Sequence, residues 1–363
     1  MSDKPVRIVS NWILLGIFML VVQVLLGGIT RLTGSGLSIT EWKPIMGALP
    51  PLSEQDWQNA FTKYQQIAQY KYLNTHFSLS DFKFIFFWEW FHRLWARLIG
   101  VVFLIPFIYF IVRKYIKQWM IAPLVILFVL GAMQGAVGWL MVKSGLNEND
   151  LYVSHIRLAA HFIAAMILIG YALIFWIKLK VDQRERVASV GLKNGAIAIL
   201  TLLVIQLIYG AFMAGLKAAA VASTWPTING DWLPPNAFSG NLSTDLFHNK
   251  ITIHFIHRNL AYLVSLLIIG WWWASRKAGY SRAFSFARNT TVVLVFVQVL
   301  LGVLAVLNSQ HITPGRFGVF EWMAQLHQLT GMLLFLSLTA VVYLTTWKKA
   351  AVPVSRQRVM PLA

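Results

Sequence analysis

Four histidines recur at one depth in long apolar stretches of the chain: His92, His161, His257 and His327. Imidazole is the usual protein ligand for transition metals and haem iron. A single histidine in an apolar helix is ordinarily a packed core residue. Four in matching surroundings point to ligands, because ionisable groups inside a membrane are costly and mark function. Two histidines from facing helices can hold one planar haem between them. The pattern predicts two bis-histidine haem-iron sites, His92 with His161 and His257 with His327. Copper or zinc is the competing reading, and it lacks a third ligand common to both pairs.

The neighbours of these histidines differ between the pairs. Arg93 and Arg258 each follow a histidine directly, in FHR and IHR. Guanidinium groups suit carboxylates such as haem propionates, so both are candidate propionate contacts, and Arg97 joins them. Snorkelling of the arginines to headgroups is the alternative. Glu89 lies three residues before His92, on the same helix face and ~4.5 Å along the axis, where it would meet a porphyrin edge, not its iron. A carboxylate held out of water there can accept a proton or stabilise a transient cation, which makes Glu89 the catalytic candidate. An ion pair with Arg93 or Lys83 is the structural alternative. Aligning His92 with His257 puts His254 and Tyr262 where the first site has Glu89 and Arg97, so the two sites are not equivalent. His254 shares a face with His257 and is its rival as a ligand. His155 points elsewhere than His161, and His76, His248 and His311 fall in loops or at helix edges.

The elements that must position these residues are membrane helices. Of 363 residues, 58% are hydrophobic and 12% charged, so most of the chain faces lipid or other apolar helices. The chain has no cysteine, which excludes disulfides, zinc thiolates, iron–sulfur clusters and Cys-x-x-Cys-His haem attachment. The net charge of +18 is dispersed by topology and not gathered on one face, so no nucleic-acid partner is expected. Apolar runs near 12–30, 84–112, 120–141, 153–177, 194–216, 250–273, 290–307 and 321–346 predict eight spans. The N-terminal residues 1–7 and the segments 113–119, 178–193, 275–288 and 347–358 hold 18 of the 31 Lys and Arg but only three acids, Asp3, Asp182 and Glu185. The positive-inside rule then places both termini in the cytoplasm, with helix 1 a retained anchor. Loops 31–83 and 217–249 fall outside, and their Trp, Pro and Gly content predicts ordered caps.

The spans repeat. The four odd ones carry Gln-x-x-x-Gly, beginning at Gln23, Gln134, Gln206 and Gln298, and the four even ones carry the histidines. His92 to Gln134 is 42 residues and His257 to Gln298 is 41. The fold expected is all-α and polytopic: two four-helix halves, 1–180 and 181–363, related by a pseudo-two-fold along the membrane normal. The Gln-x-x-x-Gly motif reads as helix packing, with Gly permitting close approach and the Gln amide bonding a neighbour.

The stretches GLSITEWKPIMGALPP, DFKFIFFWEWFHRLWARLIG, STWPTINGDWLPP, FIHRNLAY and QLHQLTG, spread over residues 12–346, together resemble the haem A synthases of cytochrome oxidase assembly. The resemblance implies oxidation of the C8 methyl of haem O to a formyl group with water-derived oxygen, supplying haem A to terminal oxidases. It implies that His92 and His161 ligate the substrate haem O, that Glu89 acts beside the methyl, and that His257 and His327 ligate a haem b cofactor. It places the chain in the bacterial inner membrane, with haem O synthase, assembly factors and lipid as partners and a homo-oligomer left open. Some bacterial members carry a cysteine pair in their outer loops; this chain resembles the cysteine-free group, so electrons would leave through the C-terminal haem. Ala96 stands where the family commonly has Gly. Two other classes compete. A dihaem quinone-linked cytochrome would use the same histidines but leaves Glu89 unexplained, and a haem transporter would need only one outer site.

Overall fold

The computed structural model describes residues 4–41, 46–278, 281–312 and 317–347. Trp42 to Ile45 of the first loop motif, and all of the basic segment 347–358 except Trp347, lie outside them. Eleven helices are present among the described residues: α1 (Lys4–Leu32), α2 (Glu54–Tyr64), α3 (Ala68–Leu73), α4 (Leu79–Val112), α5 (Gln118–Lys143), α6 (His155–Lys180), α7 (Val190–Gly215), α8 (Leu242–Phe247), α9 (Lys250–Ser275), α10 (Arg282–Leu307) and α11 (Val319–Leu344). Eight of them, all but α2, α3 and α8, are long and apolar enough to cross a bilayer. The chain is an all-α, multi-pass membrane protein.

Several helices begin earlier than their apolar runs, α4 and α10 among them. Ser78 and Asp81 form a capping box that starts α4 at Leu79, and Ser281 caps α10 through the amide of Phe284. Capping satisfies the orphan amides of a first turn, so a helix can start in polar sequence ahead of its membrane-embedded part.

The spans pack as α1 with α4, α5 with α6, α7 with α9 and α10 with α11. Helices α1, α6, α7 and α11 also touch one another and form the centre, around Met166, Ile169, Leu203, Met332 and Leu338. Phe18, Ile105, Leu266 and Phe286 stand on the outward faces, 61 to 75% exposed. In water such a surface would aggregate; in a bilayer it is the lipid contact.

The described part of the loop after α1 carries the helices α2 and α3. Phe61 and Tyr64 of α2, with Leu37, pack on Phe82, Ile85 and Phe86 of α4 to make a satellite core above the spans. Asn74 Nδ2 donates to the Tyr64 hydroxyl at 2.7 Å. Burial pushes the Tyr64 phenol up to about 12, which keeps it neutral. In the second loop, Asn229 (φ 54°) and Gly230 (φ 103°) turn the chain between Ile228 and Asp231, which pair as a bridge. Only a residue without a Cβ adopts the Gly230 conformation freely, and Asn-Gly is the usual sequence for such a turn.

On the opposite face a two-residue parallel pair joins β1 (Val187–Ala188) to β2 (Thr345–Thr346). Arg186 Nε donates to the Tyr343 carbonyl at 3.0 Å, and Lys193 Nζ to that of Val342 at 2.5 Å. These cations, counted in sequence within the basic segment 178–193, cap the unsatisfied carbonyls that end α11.

Candidate haem sites

Each Gln-x-x-x-Gly motif holds one of the four histidines. Gln23 of α1 donates its Nε2 to the His92 carbonyl at 3.2 Å, Gln134 of α5 to that of His161 at 3.1 Å, and Gln206 of α7 to that of His257 at 3.0 Å. In the fourth pair the direction changes: His327 Nδ1 donates to the Gln298 carbonyl at 3.0 Å, and the Gln298 amide lies 3.2 Å from His327 Nε2. A histidine that gives its Nδ1 proton to a backbone carbonyl is held in the tautomer whose Nε2 can bind a metal.

The glycine one turn on makes room for the ring. A Cβ at Gly27 would stand 3.2 Å from His92 Cε1, at Gly138 2.7 Å from His161, at Gly210 3.2 Å from His257, and at Gly302 2.8 Å from His327. The motif is therefore helix packing, as its sequence suggested, but packing built around a histidine. The polar and steric halves of the motif do different work: each amide bond is worth about 0.6 kcal/mol between membrane helices, while the glycine leaves room for the ring, with the least to spare at Gly138 and Gly302. Two expected outcomes follow from the distances. Gly138→Ala and Gly302→Ala each empty their site of haem, because a ring held by its glutamine cannot retreat several tenths of an ångström. Gly27→Ala and Gly210→Ala keep most of it, as pyridine haemochrome absorbance per chain would show.

The structure brings His257 and His327 together, edge to face. Their ring centres are 6.4 Å apart, with planes at 70°. Two imidazoles bound on opposite sides of one metal at about 2 Å, each ring centre about 1 Å beyond its nitrogen, stand about 6 Å apart, so the pair fits an iron between them. His92 likewise lies within electrostatic range of His161. All four rings are half-buried although each abuts a neighbouring helix, which leaves accessible space beside them. The side-chain oxygens of Gln23, Gln134, Gln206 and Gln298 are buried without partners. Among the described residues no group of three or more His, Cys, Asp or Glu gathers, so the copper or zinc alternative finds no third ligand.

One turn outward, both histidine helices clasp the loop that follows their partner helix. Arg93 donates to the carbonyls of Ile39 at 3.2 Å and Glu41 at 3.4 Å; Arg258 donates to those of Ala222 at 2.8 Å and Thr227 at 3.0 Å. Each arginine has a partner four residues back, and there the two sites diverge. Arg93 Nη2 meets Glu89 Oε1 at 2.5 Å, whereas Arg258 Nε donates to His254 Nδ1 at 2.9 Å. His254 is thus a buried partner of Arg258 beneath the loop, with its Nδ1 occupied. Glu89 is 3% exposed, and its other oxygen accepts from Ser38 Oγ at 2.7 Å and from the Ile39 amide at 2.8 Å. Lys83 pairs with Glu54 instead. The Glu89–Arg93 clasp is neutral overall, and the His254–Arg258 clasp carries the arginine's full charge. Beside Arg93 opens a cleft of about 320 Å³ lined by Ile39, Trp139 and Lys143 among others. Arg97 is half-buried one turn further along α4.

Two central glutamines that the sequence reading passed over lie at the seam between the sites. Gln325 and Gln328, flanking His327, donate to the carbonyls of Leu25 and Val24 at 3.2 Å each, directly after Gln23. A Cβ on Gly28 would sit 2.3 Å from Gln325 Oε1, so α1 presents one glycine to His92 and the next to α11. Their signal in sequence was the unpaired polarity of QLHQ inside an apolar span.

The sequence is matched by known proteins along almost the whole chain. The model of the cytochrome oxidase assembly protein family (COX15-CtaA) covers residues 10–339. The chain belongs to this family. A haem A synthase of Parvibaculum lavamentivorans is 42% identical over 325 residues, covering 86% of this chain and 92% of that protein. One of Flavobacterium johnsoniae is 39% identical over 347 residues, covering 94% and 98%. One of Rhodopseudomonas palustris, strain TIE-1, is 45% identical over 313 residues, covering 84% and 82%. Family membership accounts for the resemblance carried by WEWFHR and TWPTING. In this chain the two motifs belong to corresponding clasps: WEWFHR supplies Arg93, which holds the first loop, and TWPTING lies in the second loop, held by Arg258 through the Thr227 carbonyl.

Proposed function

We propose that the chain is a haem A synthase, an oxidoreductase that converts haem O to haem A. The reaction oxidises the C8 methyl of haem O to a formyl group: with one water supplying the oxygen, a methyl becomes a formyl by losing four electrons and four protons. His92 and His161 hold the substrate haem O. His257 and His327 hold haem b, which when bound supplies a redox-active iron through which electrons leave. Arg93, Arg97 and Arg258 face the propionate side. The two sites belong to the duplicated halves 1–180 and 181–363, in the bacterial inner membrane with both termini cytoplasmic.

One observation carries the division of labour: the two arginine clasps match in their loop bonds and differ in Glu89 against His254. Four protons must leave the methyl and water during the oxidation, and a carboxylate is the group able to take them. It stands in one site only, on the face of α4 that carries His92. Ser38, Ile39 and Arg93 fix its oxygens, so it enters the reaction already oriented.

Extraction and chromatography of the bound haems tests the reading. Haem O or a hydroxylated derivative together with haem b is expected. Haem b alone, at two per chain, would assign the protein to the dihaem cytochromes instead.

A further inference from the structure

On the face opposite the termini, a cleft of about 1070 Å³ lies where the ends of α5, α6, α7 and α9 meet. Its walls include Lys143, the last residue of α5; His155 and Arg157 in the first turn of α6; Lys217, just past α7; and Lys250, the first residue of α9. Four strong cations therefore face one space, against a single lining carboxylate, Asp150, which accepts from Asn147 Nδ2 at 2.9 Å. Among the described residues none of the four cations forms an ion pair.

Three of them are nevertheless held in place. Lys217, in the left-handed backbone region at φ 51°, puts its ammonium 3.8 Å from the centre of the Tyr152 ring. Lys143 stands over Trp139, and Arg157 donates to the Leu140 carbonyl at 2.9 Å. Rings and carbonyls orient a cation without neutralising it. The amino ends of α6 and α9 and the carboxyl ends of α5 and α7 meet at the same space, so their partial charges offset one another and the four side-chain cations set its sign.

The depth identifies the ligand. Helix ends mark the boundary of the apolar layer, so the cleft sits at headgroup level, with exposed Leu140 and Ile156 next to it on the lipid side. We propose that this cleft binds the phosphate of an anionic phospholipid headgroup, seated between the two histidine sites with its acyl chains along α5 and α6. The shared chemistry with free phosphate is a compact oxyanion bonded by lysine and arginine. The acyl-facing wall favours the lipid source.

Native mass spectrometry of the full-length protein, released from nanodiscs of mixed phosphatidylglycerol and phosphatidylcholine, reads the outcome. The wild type is expected to retain phosphatidylglycerol selectively. A Lys217→Gln/Lys250→Gln double variant should retain it roughly 30-fold more weakly, the effect of two surface cations, with haem content unchanged. Lys217→Arg/Lys250→Arg should restore retention. Equal retention of the two lipids by the wild type, or full retention of phosphatidylglycerol by a haem-replete Gln variant, would overturn the proposal. Displacement of the lipid by millimolar inorganic phosphate would assign the cleft to a soluble anion and overturn the lipid assignment.

Discussion

Glu89→Gln is expected to retain both haems and to lower haem A formation about 10²–10⁴-fold, the range lost when a positioned proton acceptor is removed. The substitution is chosen for what it preserves. A glutamine oxygen can still accept from Ser38 Oγ and from the Ile39 amide, so the outer loop stays on α4. What disappears is the negative charge, the capacity to take a proton and the bond from Arg93 Nη2, which an amide NH2 cannot accept; Arg93 keeps its bonds to the Ile39 and Glu41 carbonyls. Glu89→Ala removes both roles and leaves Arg93 without its partner, so loss of activity in that variant alone would not separate chemistry from loop anchoring. Chromatography of haem extracted from membranes given haem O provides the rate, and absorbance per chain provides occupancy. Wild-type conversion by Glu89→Gln would show that Glu89 is purely a clasp for the loop.

Replacing any one of the four cradled histidines by alanine is expected to remove one haem per chain, and the loss should be confined to the pair that was broken. His257→Ala and His327→Ala should share one phenotype and His92→Ala and His161→Ala another, because in the proposed function each pair holds a single iron. The physical reason is visible in the cradle. The ring faces a glycine and is flanked by an amide, so when it is lost no other histidine can take its place. His254→Gln is the informative control. His254 accepts from Arg258 through Nδ1 and is buried beneath the second loop, so a glutamine that can still accept that bond should leave haem content at the wild-type level. Haem loss in His254→Gln with a normal complement in His257→Ala would exchange the two assignments.

Both predictions rest on residues found by sequence, and the structure altered what was known of them to different degrees. Equal depth and recurrence singled out His92, His161, His257 and His327, because a costly polar group repeated four times in apolar sequence has few explanations. Glu89 emerged because alignment of the repeats left it unmatched. What Glu89 touches was not legible: Arg93 and Lys83 were equally available on the helix, and Ser38 and Ile39 arrive from 50 residues away. The glutamines were seen as a motif but not as histidine supports, since a helix-packing motif does not name its partner. Lys193 and Arg186 entered the sequence reading only as part of the basic segment 178–193, and only the end of α11 shows them as caps. Helix starts were misplaced at α4 and α10, where capping serines extend the helix into polar sequence.

The amino-acid sequence by itself determined the class of this protein: a multi-pass membrane chain with eight spans, histidines placed to ligate, and a carboxylate in one repeat only. Those are local properties, since hydropathy, spacing and residue type are written residue by residue along the chain. The tertiary structure alone decided which side chain answers which. It set the glycine against each imidazole, the loop beneath each arginine, the exchange of glutamate for histidine within an otherwise shared clasp, and the gathering of four helix ends into one basic cleft. Such contacts join residues up to about three hundred positions apart, and no local pattern encodes them because they depend on how the helices cross.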